Sequence, residues 1–490
     1  MTEKTLDELL ELALDEMQKL QAMDEKQWGE WHKGLGGLPP TIPFGDGRHV
    51  MTTNDGLSAL HEFGRRWRAE SDDFKAAIRK AEAEQLAVKT FGRIMGNIDK
   101  TEYPHDTSVK TVLKDLMEKA LEQIASPMIH HVPVRVIDVE LQTFEVGPVR
   151  FLQRLVWLDF VVKTAGRTLG WVEVLRNHWS GGSDAPTVPG EGASGDDWTA
   201  YSIVNSFGQA RWVAVVDVSG RERLRARECA EIAVRVAIDT LGLVLDSEQA
   251  RGLRGPGDRK DITLDRHYTQ RSNFDISYSS RIDLPHFSAN PGGYSDFLDH
   301  TVDVRAFAGA ALESFIDPKS KSPKAKLHRR WVEAMYWYGQ ALREPMEFIG
   351  LVNAGVALDV LAKGSKYKGI SAMCSALFGI KPDTVVTGDG RTLDKVVKEI
   401  YDDGRSKFSH GGKPALLQDL PIPRDAALSL VSPALTVYAG KLDLYIGPDE
   451  YEDFLKAMPT LNLPEADSPG QSCISSASTA CRSPLCSMSS

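Results

Sequence analysis

The sequence predicts an α+β multidomain chain: N-terminal helices over 1–129, a central strand-rich α+β module over 130–300, an all-α helical bundle over 301–460 and a disordered Ser-rich tail over 461–490. Three observations predict it. The 490 residues exceed what one compact core organises, so two or three domains are expected. Apolar residues recur at helical spacing to about 128, give way to β-branched and aromatic runs bounded by glycine turns, and resume helical spacing from about 301. Composition, 42% hydrophobic and 26% charged, is that of an ordinary globular protein.

The elements follow in order. "TLDELLELALDEMQKLQAM" carries apolar residues every three to four positions. After the Pro/Gly-rich break "GGLPPTIPFGDG", the same period runs through "DGLSALHEFGRRWRAESDDFKAAIRKAEAEQLAVKTFGRIM". "SVKTVLKDLMEKALEQIA" completes the region, with Ser108 placed to cap it. Beyond 130, "VPVRVIDVELQTFEV", "VRFLQRLVWLDFVVKT", "TLGWVEVLRN" and "ARWVAVVDVSG" read as strands. "RERLRARECAEIAVRVAIDTLGLVLD" reads as a long helix, and "NHWSGGSDAPTVPGEGASGDD" as a polar loop. The last region supplies four to six helices, with a basic connector, "DPKSKSPKAKLHRR", after the first.

Several classes are disfavoured. The acidic, amphipathic start "MTEKTLDELLELALDEM" lacks the basic opening and apolar run of a secretory signal. No stretch approaches the roughly 18 uncharged apolar residues of a membrane span, so a cytoplasmic protein without membrane contact is expected. Five cysteines form no C-x-x-C pair and no Cys/His ligand spacing, which indicates neither a metal site nor a disulfide framework. A formal net charge of −10 confines any nucleic-acid contact to one local basic face.

Most motif-like strings have bland readings. "GEGASG", 190–195, matches a dinucleotide fingerprint by letters, yet a Pro-rich loop precedes it where a strand is required. No Walker A sequence exists, and no cofactor is expected. His130 and His131 are adjacent on an extended segment and so point to opposite faces, which suits a surface or capping role better than metal ligation. "RIDLPH" sets Arg281 five residues before His286, but Pro285 forbids a continuing helix there.

"YDDGRSKFSHGGKP", 401–414, repeats that arginine–histidine spacing with Arg405 and His410, in a better context. Leu393, Val396, Val397, Ile400, Tyr401 and Phe408 form one helical stripe, and Arg405 lies on its edge. A cation there is partly desolvated and needs an anion. His410 falls at the helix end, before a glycine pair suited to a C-cap. In "IGLVNAGVALDVL", Asp359 continues the series Ile349, Val352, Val356 where the pattern calls for leucine. A buried carboxylate requires a partner, and Arg405 is the candidate. The bland account is a structural ion pair with His410 as a helix-end residue.

These segments resemble a known family. "WVEAMYWYGQAL", "FIGLVNAGVALDVL" and "VVKEIYDDGRSKFSHGG", in that order over about 325–445, look like the Apea-like branch of the HEPN superfamily. Arg405 and His410 match its Arg-x4-6-His motif, and Ser406 and Gly411 match the flanks. Asp359 stands where the family more often has Glu. "FEVGPVRFL" is similar to modules preceding such domains in bacterial defence proteins.

The resemblance implies a metal-independent endoribonuclease, a toxin-like effector in antiviral (phage) defence, cleaving RNA to a 2′,3′-cyclic phosphate. It also implies a homodimer whose two motifs face one cleft. Catalysis would rest on Arg405, His410 and Asp359, and RNA-phosphate binding on Ser406, Lys407 and Lys413 with the basic connector. Residues 1–300 would sense a phage-derived trigger. The alternative is a non-catalytic HEPN nucleotide- or RNA-binding or dimerisation module, with the function in the N-terminal half.

Overall fold

The structure is a computed structural model that describes residues 4–24, 26–28, 30–31, 38–44, 47–96, 108–136, 143–208, 210–245, 247–253, 265–270, 276–281, 291–406 and 420–463. The chain forms two compact units. The first comprises Met1–Met128, Val218–Cys229 and Asp317–Lys319; the second comprises Ile129–Asp217, Ala230–Ile316 and Ser320–Ser490.

The first unit is helical, as the sequence predicts, with one small hairpin. It contains α1 (Leu6–Gln21), β1 (Thr41–Pro43), β2 (His49–Met51), α2 (Asn54–Ala69), α3 (Asp72–Ala77), α4 (Lys80–Gly96) and α5 (Ser108–Ile124). α1 begins at a reciprocal cap: the Thr5 hydroxyl accepts from Glu8 N–H, and the Glu8 carboxylate accepts from Thr5 N–H. Its apolar face, with Leu10, Ala13, Leu14 and Met17, shares one core with Phe63 and Trp67 of α2 and Phe91 of α4. Val218–Cys229 joins this unit through Glu222. Its N–H donates to the Ala77 carbonyl at 2.8 Å and its carboxylate accepts from Arg79 at 3.1 Å.

The second unit contains a four-stranded sheet in the order β3 (Met128–Val134), β6 (Trp212–Val218), β5 (Val149–Gln153), β4 (Phe144–Val146). β6 is central and nearly wholly buried, whereas β3 is an edge strand, which is where Pro133 is tolerated. β4 and β5 pair antiparallel across a two-residue turn with Gly147 at φ +54°. That turn rests on Gly309, where a Cβ added to Gly147 would stand 2.3 Å from the Gly309 Cα. Neither glycine can gain a side chain without separating the two segments.

Of the predicted strands, 149–164 is a strand only over its first five residues, β5 (Val149–Gln153), and 168–177 is largely helical. Arg154–Ala165 is α6 and Gly170–Trp179 is α7, and α8 (Gly195–Phe207) follows the polar loop. Trp157, Leu158, Val172 and Leu175 bury with Val213 and Val215 of the sheet in one cluster. The aromatic and β-branched residues that suggested strands are thus packing residues, and tertiary burial overrides propensity. The long predicted helix is α9 (Arg223–Gly242), followed by α10 (Ser247–Arg251). A separate antiparallel hairpin pairs β7 (Asp265–Gln270) with β8 (Ile276–Arg281). Arg281 ends that strand and His286 lies outside the described residues.

The C-terminal half is a helical assembly: α11 (Pro291–His300), α12 (Val302–Ile316), α13 (Ala325–Arg343), α14 (Glu347–Leu361), α15 (Lys366–Phe378), α16 (Leu393–Lys398), α17 (Arg424–Leu444) and α18 (Tyr451–Ala457). Among the described residues no single helix is long and apolar enough to cross a bilayer; α14 and α15 together have the composition but meet at 69°. Arg343 forks onto Asp239 with both terminal nitrogens, one at 3.0 Å, and the two side chains are 11% and 1% exposed. His328 is buried edge-on against Phe307, its Nδ1 3.0 Å from the Ser314 hydroxyl. Burial holds its pKa below the ordinary value; Lys324 adds to the effect, while Asp449 and Asp443 oppose it.

Two outcomes are expected. Arg343→Ala leaves the buried Asp239 carboxylate without its guanidinium partner, so denaturant unfolding should show a loss of about 3–5 kcal/mol. For His328 the unfolded state binds more protons below its ordinary pKa of about 6.5. Its stabilising contribution is therefore present above that pH and is lost as pH falls through the lower folded-state value. Unfolding followed from pH 7.5 to 5 should lose less stability in His328→Gln than in wild type.

Candidate active site

α14 is apolar almost all round. It buries Gly350, Leu351, Ala354, Gly355, Ala357, Leu358 and Leu361, and Asp359 is buried among them at 8% exposure. Ile349, Val352 and Val356, the residues that mark the stripe in the sequence, are the half-buried flank of that face. The partner segment starts at Thr392, whose hydroxyl accepts from Lys395 N–H and caps α16. Leu393, Val396, Val397, Ile400 and Tyr401 are buried along it, as their spacing predicts.

The helix does not continue as an α-helix. Glu399–Ser406 winds as a π-helix, the wider i→i+5 form that concentrates at functional sites. This turn lies close against α14. A Cβ on Gly355 would stand 3.0 Å from the Arg405 Cβ and 3.3 Å from the Ile400 carbonyl oxygen. The bare backbone at Gly355 thus lets Arg405 approach α14 one turn before Asp359.

Arg405 Nη1 lies 3.2 Å from Asp359 Oδ2 and donates to the Tyr401 hydroxyl at 2.7 Å. The guanidinium also stacks over the Tyr401 ring, 4.9 Å from its centre. The other Asp359 oxygen, Oδ1, accepts from Lys366 N–H at 3.3 Å, which anchors the carboxylate to the turn entering α15. Burial, and then the nearby Asp359 carboxylate, raise the Tyr401 pKa, so the phenol stays protonated at neutral pH. Arg405 remains 31% exposed. Among the described residues nothing is bonded to its Nε or Nη2. One nitrogen is fixed by two protein groups, and the Nε/Nη2 edge, the one that forks onto phosphates, has no partner among the described residues.

The structure therefore brings Asp359 and Arg405 together and sets Ser406 at the end of the same π turn, half-exposed. Lys407, His410 and Lys413 lie outside the described residues, as do Phe408 and the glycine pair. Tyr401 is the site residue the sequence reading does not identify. Its position four residues before Arg405 is the available signal, because that spacing brings a side chain beside the guanidinium. The connector's cations are mostly engaged within the bundle. Lys324 Nζ donates to the carbonyls of Leu442 and Asp443, Lys326 pairs with Glu450, and Arg330 donates to the Val360 carbonyl.

The remaining strings resolve plainly. A helix does follow "GEGASG", but coil precedes it, and its N-terminus is taken by the Ser194 hydroxyl and the carboxylates of Asp196 and Asp197. That end repels a pyrophosphate rather than binding it. His131 is exposed at the edge strand, as a surface role requires, and its Nδ1 also accepts from the Trp157 indole at 3.0 Å.

A double-mutant cycle tests the clamp on Arg405. Asp359→Ala should cost about 1–3 kcal/mol and Tyr401→Phe about 0.5–1.5 kcal/mol. The double variant should depart from additivity by at least about 0.5 kcal/mol, because both groups hold one nitrogen. Comparison with protein-family models, curated proteins and solved structures finds no match to this chain.

Proposed function

We propose that the chain is a metal-independent endoribonuclease of HEPN type, serving as a gated effector in bacterial antiviral defence. The observation that supports this most is the Arg405 guanidinium, held through Nη1 by Asp359 and Tyr401 with Nε and Nη2 unspent. A fixed fork of that kind suits a phosphodiester whose charge rises in the transition state.

In the proposed reaction the RNA 2′-hydroxyl loses its proton and attacks the adjacent phosphorus. The P–O5′ bond breaks, leaving a 2′,3′-cyclic phosphate, and the departing 5′-oxygen takes up a proton. Arg405 neutralises the developing charge on the non-bridging oxygens. His410, a group that titrates near neutrality, moves a proton. One histidine cannot readily serve both sides of an in-line displacement, so a homodimer presenting two such motifs to one cleft is part of the proposal. Asp359 positions Arg405 and touches no reacting atom. Ser406, Lys407 and Lys413 assist in phosphate binding, and residues 1–300 gate the site in response to a phage-derived trigger.

RNA ends sequenced from bacteria expressing the chain, with and without phage challenge, provide the test. Wild type should generate new 2′,3′-cyclic phosphate ends that disappear in His410→Ala. Identical ends in both, with any protection retained, would make the bundle a non-catalytic module and shift attention to residues 1–300.

A further inference from the structure

A shallow groove of about 470 Å³ opens beside the four-stranded sheet. The edge strand β3 forms one wall and contributes His131; α8 forms the other and contributes Trp198, Ser202 and Ser206 at successive turns, with Thr199 beside them. Trp198 is 48% exposed, an unusual condition for so large a ring, and its recorded aromatic contact is an edge-on one with Tyr201 at 6.3 Å.

Three of the polar groups around that ring have fixed roles. An indole N–H only donates, so the Trp157-to-His131 bond requires an unprotonated Nδ1 and places the imidazole hydrogen on Nε2. Burial, then His130 and Arg150, lower the His131 pKa, which favours the same neutral form. Nε2–H bonds to none of the described residues. The hydroxyls of Thr199 and Ser206 donate to the carbonyls of Gly195 and Ser202 at 2.8 and 2.7 Å, leaving their oxygen lone pairs as acceptors. Ser202 makes no side-chain hydrogen bond within the described residues and can do either.

The groove thus offers an aromatic plane, one fixed N–H donor, two acceptors and one adaptable hydroxyl. A purely aliphatic occupant would leave the His131 donor, the Ser202 hydroxyl and the spare lone pairs of Thr199 and Ser206 unanswered. A flat heteroaromatic ring carrying both acceptors and N–H donors answers each of them, and nucleobases have that chemistry. Positive charge stands nearby: the Arg150 guanidinium stacks 4.8 Å over the Phe160 ring, which itself lies 6.1 Å from the His131 imidazole. Asp196 and Asp197, at the start of α8, direct a phosphate away from the other end. We propose that this groove binds a nucleobase, stacked on Trp198 and accepting a hydrogen bond from His131 Nε2. The assignment is independent of the ribonuclease reading.

The test uses the full chain. The four 5′-mononucleotides and a single-stranded RNA decamer of mixed sequence are titrated in parallel, with tryptophan fluorescence and calorimetry as readouts. Wild type should show saturable binding that weakens tenfold or more in Trp198→Ala. Trp198 is half in solvent, so that variant should keep the wild-type circular dichroism, and His131→Phe, which removes the donor, should also weaken binding. Saturation with mononucleotides supports the proposal with a free nucleotide as ligand; saturation with the decamer alone supports it with a strand as ligand. Absence of saturable binding in both arms overturns it, as do affinities unaffected by both groove variants or a proline-rich peptide binding the groove while neither nucleic-acid arm does.

Discussion

A guanidinium largely withdrawn from water must be matched by acceptors, and Arg405 is matched through a single nitrogen. Much of the surrounding architecture serves that contact. Gly355 brings the π turn against α14, Asp359 is buried one turn further along, and its second oxygen is tied to Lys366 N–H. At an effective dielectric near 20, two unit charges about 4 Å apart gain about 4 kcal/mol. Desolvating each ion costs several kcal/mol, so such a pair adds little net stability. Its consequence is positional: a cation in one orientation, with one edge unbonded among the described residues.

The contrast with Arg343 sharpens this. Arg343 uses both terminal nitrogens on Asp239, and both side chains are almost wholly buried. That pair lies out of solvent, where it can hold the two segments together. Lys324, Lys326 and Arg330 are likewise committed, to helix-end carbonyls or to Glu450. Bonds to carbonyls leave the charges of Lys324 and Arg330 in place but fix where their donors point, and in a chain of net charge −10 only Lys326 of these three is neutralised by a carboxylate among the described residues. Arg405 differs in being 31% exposed, with Nε and Nη2 unbonded among the described residues.

The residues explain what the sequence reveals and what it hides. The stripe Leu393, Val396, Val397, Ile400 and Tyr401 is legible because one face is buried and the other is charged. Asp359 is legible as a carboxylate in an apolar helix, but the buried face of α14 is not, since nearly every position there is apolar and periodicity has nothing to discriminate. The π turn is hidden because a shift from i→i+4 to i→i+5 bonding leaves no compositional mark. α6 and α7 read as strands because Trp157, Phe160, Val161 and Val162 suit either element until the sheet is there to bury them. His131 shows the same limit. Alternation predicts its face, while its partner Trp157 lies 26 residues away.

The most direct test of the Arg405 account is the cleavage rate of purified protein on total cellular RNA, with chelator present, for wild type and Arg405→Lys. Lysine keeps the charge and can still approach Asp359, but it lacks the planar fork. The account predicts a fall of about 100-fold or more, the loss typical of removing an oriented transition-state donor. Cleavage by Arg405→Lys at the wild-type rate would contradict it, because positive charge alone would then suffice.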